Sequence, residues 1–102
     1  MAFIVFVTHH IQDGLMAEAQ ERIDSNGSRM AVAAGFISRH LMTSTEEENQ
    51  ISTITIWESQ NEYENWQEAN RKSNVHADKP TPYVGSPITN KYTQISIRTA
   101  SS

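Results

Sequence analysis

Residues 51–63 read ISTITIWESQNEY, a strand that runs straight into a helix. Ile51 to Glu58 alternates β-branched and aromatic residues with the period of two that a strand requires. Ile54 and Ile56 fall on one face; Ile51, Thr53, Thr55 and Trp57 fall on the other. Ser59 followed by Glu62 is a capping box, in which the serine oxygen accepts from the Glu62 amide and the glutamate reaches back. The helix predicted behind it runs to about Arg71 or Lys72, with Tyr63, Trp66 and Asn70 on one face.

Working outward, Thr45 to Gln50 is a polar connection, and Phe36 to Ser44 alternates as a second strand. There Phe36, Ser38, His40 and Met42 oppose Ile37, Arg39 and Leu41. The acidic run Glu46-Glu47-Glu48 in the connection reads as a solvated turn. Leu15, Ala19 and Ile23 recur every four residues and predict a helix, with Asn26-Gly27 as its stop and Met30 to Ala34 as a further helical turn. Residues 2–11 (AFIVFVTHHI) predict a strand apolar on both faces. Residues 73–88 hold all three prolines and predict an extended loop, Asn90 to Arg98 a last strand, and Thr99 to Ser102 a polar tail.

The order is β-α-β-β-α-β, an α+β, ferredoxin-like domain over residues 1–98 with a four-stranded antiparallel sheet, followed by the tail 99–102. Two helices cover one face of such a sheet. The other face also carries apolar residues, so a homodimer joined sheet to sheet is expected. Composition points the same way: Ile, Val, Leu and Phe make up only 20 of 102 residues, a thin core that invites a second subunit.

The acidic balance (net −4, pI about 5.5) and the absence of a long basic run exclude a nucleic-acid partner. No stretch approaches the ~18 apolar residues of a membrane span. The apolar start lacks a basic region and a cleavage site, so a cytoplasmic protein is expected. Zero cysteines exclude a disulfide scaffold, a thiol nucleophile and thiolate metal sites.

The common phosphate-loop, dinucleotide, serine-hydrolase and zinc-protease motifs are absent. His9 and His10 are strand neighbours with opposed side chains and cannot chelate one metal together. His40 alternates with apolar neighbours and reads as a strand residue. His76 lies past the second helix, beside the proline-rich loop. It reads either as a surface residue at the helix C-terminus or as a nitrogen offered to iron. Trp66 reads either as core or as a cofactor wall.

The stretch Thr55-Ile56-Trp57-Glu58-Ser59, with Tyr63, Trp66 and His76, resembles the antibiotic biosynthesis monooxygenase superfamily. Within it the chain is most similar to the IsdG-type haem-degrading monooxygenases, through Trp66, His76 ten residues on, and Ser86-Pro87-Ile88. Gly14 and Glu21-Arg22 also fit. The resemblance spans residues 3 to 97. It implies a dimeric α/β barrel with haem between helices and sheet, serving as both substrate and cofactor. His76 would be the axial iron ligand and Trp66 the wall that ruffles the porphyrin. Arg22 and Asn70 would be further haem contacts. The products would be an opened tetrapyrrole and free iron, from O₂ and an external electron donor. Haem-degrading members carry a first-strand asparagine near the distal oxygen; aligned through Gly14, that place holds Val7, with Thr8 beside it. Valine has no donor, and the pleat points the Thr8 hydroxyl to the other face.

Two other readings use the same residues. One is a cofactor-free monooxygenase of the same superfamily, acting on a polycyclic phenol or quinol in an apolar pocket with Trp66, Tyr63 and His40 or His76 as polar contacts. The other is a non-catalytic dimer that binds a small molecule.

Overall fold

The computed structural model describes residues 1–73 and 80–101. Its elements are β1 (Phe3–His10), α1 (Met16–Met30), β2 (Phe36–Thr43), β3 (Gln50–Trp57), α2 (Gln60–Ser73) and β4 (Ile88–Thr93). The strands pair antiparallel in the order β2-β3-β1-β4, the expected ferredoxin-like arrangement. The expected cap is present: the Glu62 amide donates to Ser59 Oγ at 3.3 Å.

β3 sets the layers. Ile51, Thr53, Thr55 and Trp57 are buried, alternating with half-buried neighbours. β1 joins the same face with Phe3 and Val5, fully buried, and Val7 behind them. One core cluster gathers Phe3, Val5, Met30, Trp57 and Tyr63; a second gathers Ile11, Ala19, Ile23 and Ile51. Trp57 is 0% exposed, and its ring meets Phe36, Tyr63 and Trp66 at 5.5–5.9 Å between centroids. On the opposite sheet face Ile4, Phe6, Ile54 and Ile56 are only half-buried.

Three details depart from the sequence reading. α1 runs through Asn26-Gly27 to Met30. An internal glycine costs a helix roughly 0.5–1 kcal/mol, but burying Met30, 4% exposed, offsets it. The missing Cβ also has a use: one built on Gly27 would lie 2.6 Å from Arg39 Nη1. The register shift between Phe36 and Ser38 inserts Ile37 as an extra residue, so Phe36 joins Arg39 and Leu41 on the helix side rather than opposing them. β4 begins two residues early and ends at Thr93, because Thr93 already pairs with Phe3 at the end of β1. After a last bond from the Gln94 amide to the Ala2 carbonyl, Ile95 and Ile97 are 86% and 77% exposed.

Gly35 closes the α1–β2 turn at φ +81° and accepts a bond from the Glu58 amide at 2.8 Å. A Cβ there would overlap the Glu62 carboxylate and lie 2.7 Å from Glu62 Cβ, a clash that rotating the carboxylate does not relieve. Gly35→Ala is therefore expected to cost at least about 1–2 kcal/mol, read as a lower urea midpoint at unchanged slope.

Candidate active site

A cavity of about 390 Å³ opens between the helices and the sheet, within the roughly 300–1,000 Å³ of small-molecule sites. α1 contributes Arg22, Ile23, Asn26 and Arg29; α2 contributes Gln67, Asn70 and Arg71; β1 and β2 contribute His9 and Arg39; Tyr83 closes the set. Arg22, Asn26 and Arg29 stand at i, i+4 and i+7, a polar stripe beside the apolar Ala19-Ile23-Met30 stripe. His9 follows Phe3, Val5 and Val7 on the helix side of β1 by simple alternation.

Four of the chain's five arginines thus meet at one place in a protein of net charge −4. No acid is found among the described residues that line the cavity. Backbone and side-chain bonds hold the guanidinium groups. Arg22 Nη2 donates to the Pro80 carbonyl at 2.5 Å and lies 3.5 Å from Glu18 Oε1. Arg29 Nη2 donates to Asn26 Oδ1 at 2.7 Å. Arg39 Nη1 donates to the Ile23 carbonyl at 2.6 Å, in the space that Gly27 leaves open.

His9 sits against Tyr83, ring centroids 5.1 Å apart. Its Nδ1 is buried and lacks a hydrogen-bond partner among the described residues. Burial lowers the His9 pKa below its ordinary 6.5, and the neighbouring Arg39 charge lowers it further. Both effects favour the neutral imidazole over the imidazolium. Burial raises the Tyr83 pKa, against the opposite pull of Arg22 and Arg39, so its hydroxyl stays a donor.

The residues singled out from sequence do not all meet here. Arg22 and Asn70 line the cavity. Trp66 packs against Trp57, 5.9 Å between centroids, and borders a separate groove with Ala33, Ala34 and Ala69. Val7 packs on the first core cluster. β1 pairs without a bulge, so Thr8 stays on the other face, its hydroxyl 3.5 Å from Ser52 Oγ. Tyr63 is core, and His40 is exposed. His76 lies outside the described residues. The sequence reading passed over His9, Arg29, Arg39, Arg71 and Tyr83. The i, i+4, i+7 stripe on α1 was the available signal for Arg29; nothing local signalled that Arg39 and Tyr83 would join it.

Among the described residues no group of three or more acidic or histidine side chains could hold a metal ion, and no helix is long and apolar enough to cross a membrane.

The sequence model of a family described as "Antibiotic biosynthesis monooxygenase" matches residues 2–77. No curated protein matches the chain. Among solved structures, a variant of MhuD with two manganese protoporphyrin IX molecules bound per active site is 13% identical, with 96% of this chain and 99% of that one covered and a TM-score of 0.80. The haem-degrading protein Rv3592 from Mycobacterium tuberculosis is 14% identical, with 98% of each chain covered and a TM-score of 0.72. A variant of SnoaB, a cofactor-independent oxygenase from Streptomyces nogalater, is 11% identical, with 94% and 95% covered and a TM-score of 0.75. At these identities the likeness concerns the fold.

Proposed function

The chain belongs to the antibiotic biosynthesis monooxygenase family, and from that premise we propose that it is a cofactor-independent monooxygenase of a polycyclic phenol or quinol, with the helix–sheet cavity as its active site. The observation that carries this reading is His9: an imidazole whose neutral form is favoured, set against Tyr83 at the wall of a cation-lined cavity. Such a group is a general base for a phenolic proton. The guanidinium charges and the Tyr83 hydroxyl stabilise the phenolate that forms. The electron-rich ring then reduces O₂. One oxygen atom stays as a quinone carbonyl, and the other leaves as water with the hydroxyl proton and the displaced ring hydrogen. For 1-naphthol, one O₂ gives one 1,4-naphthoquinone and one water, and no further reductant enters. SnoaB, similar in fold, is itself named a cofactor-independent oxygenase.

Haem is the group the sequence resemblance implies. The cavity's arginines suit the carboxylate edge of a porphyrin, but the residues that the resemblance ties to the iron and the ring are not brought together there: Trp66 borders a different groove, and His76 lies outside the described residues. No step is therefore derived through haem. The ten-residue spacing of Trp66 and His76 favours a second reading, haem degradation with His76 as iron ligand and an external electron donor.

A homodimer belongs to either reading. Its support is the uncovered sheet face with Ile4, Phe6, Ile54 and Ile56, continued by Ile88 and Tyr92, which are 54% and 53% exposed.

Haem-free, metal-stripped protein is expected to consume one O₂ per quinone formed from 1-naphthol. Turnover that appears only with haemin and a reductant, together with a Soret band lost in His76→Ala, would replace this reading by the second.

A further inference from the structure

One phenolate carries one negative charge, yet Arg22, Arg39 and Arg71 all line this cavity, and its described lining holds no acid. Glu18 beside Arg22 and Asp24 near Arg39 lie outside the lining. The cluster has to be maintained against its own repulsion. That cost is recovered when an anion binds between the charges.

Arg39 shows how the site is built. It reaches from the sheet to α1 through the gap at Gly27, and one Nη is fixed on the Ile23 carbonyl. Its Nε is buried and has no hydrogen-bond partner among the described residues. Arg22 is held from the other side by the Pro80 carbonyl and is only 10% exposed. Arg71 on α2 lines the cavity and is exposed. A planar, two-oxygen acceptor matches guanidinium donors better than a single oxygen does.

We propose that the cavity selects its substrate by a carboxylate, bound by Arg39 and Arg22 and drawn in by Arg71, so that the compound it takes is an aromatic phenol bearing an acid group. This rests on the reading that the substrate enters the helix–sheet cavity. It adds a specificity element separate from the base, His9: the carboxylate fixes the ring, and the phenol is left to the imidazole.

The test compares 1-hydroxy-2-naphthoate with its neutral amide, 1-hydroxy-2-naphthamide, by calorimetric titration into the full chain. The naphthoate is expected to bind about 10- to 100-fold more tightly, with an affinity that falls as salt rises. Arg39→Gln is expected to remove most of that preference. Arg71→Gln, at an exposed position, is expected to slow naphthoate association and weaken it several-fold, more than it weakens amide binding. Equal binding of acid and amide, or an acid preference intact in both variants, would overturn the proposal. So would inorganic phosphate binding as tightly as the naphthoate, which would assign the arginines to a free oxyanion. An amide that binds as well as the acid and is oxidised would sink the carboxylate and leave the oxygenase standing. Acid-selective binding without O₂ uptake would keep the anion site and sink the oxygenase.

Discussion

Replacing Trp57 by alanine is expected to cost about 3–5 kcal/mol of folding stability, a large part of what a domain of this length has to lose. Trp57 is fully buried and is the ring against which Phe36, Tyr63 and Trp66 pack. It therefore joins β2, β3 and α2 in one contact, and its removal leaves a void lined by three aromatics. Trp57→Phe is expected to lose much less. It keeps an aromatic ring in the cluster and removes an indole Nε1 that is buried without an acceptor among the described residues. Denaturant midpoints of the two variants check this. Similar losses would mean that the cluster tolerates a void and does not organise the core.

The second large effect falls on His9. His9→Gln keeps a polar side chain on β1 but no group that takes up a proton near neutrality. Turnover of 1-naphthol is expected to fall about 10²- to 10⁴-fold, with binding changed little. In the unaltered protein the acid limb of the rate profile is expected below pH 6.5, because burial and the Arg39 charge disfavour the imidazolium. Stability carries the same sign. As pH falls below about 6.5 the unfolded chain takes up a proton that the folded His9 still refuses, so the folded state loses stability until His9 itself titrates. His9→Gln is expected to remove that part of the acid sensitivity. An acid limb above 6.5, or full activity in His9→Gln, would exclude the imidazole as the base.

The fold was readable because its signals are local. The alternation of ISTITIWE gave the faces of the central strand, and the Ser59–Glu62 box marked where α2 begins. The misjudged elements are those that tertiary contacts override. Asn26-Gly27 is a stop signal on its own, but burial of Met30 and room for Arg39 carry α1 past it. Alternation in residues 94–98 predicts strand, yet β1 has no residues left there to pair with. The bulge at Ile37 re-aimed Phe36, and no local residue announced it.

The site was less readable for a related reason. Arg22 and Asn70, picked from resemblance and helix face, do reach the cavity. Trp66 shares a predicted face with Asn70, one helical turn away, but α2 rolls so that the indole meets Trp57 and a separate groove. His9 looked like half of an unremarkable strand pair. Its chemistry comes from what lies above it, namely Arg39 from β2, Tyr83 from the loop before β4 and two arginines from α1, and no spacing along the chain brings those together.

Whether substrate meets His9 in the helix–sheet cavity is read from the NMR signal of the His9 ring nitrogens, assigned by comparison with His9→Gln, as 1-naphthol is added to haem-free protein without oxygen. The His9 nitrogens are expected to shift in proportion to binding while the Trp66 indole signal stays in place. A titration that moves the Trp66 indole and leaves His9 unchanged would contradict this and put the site in the other groove.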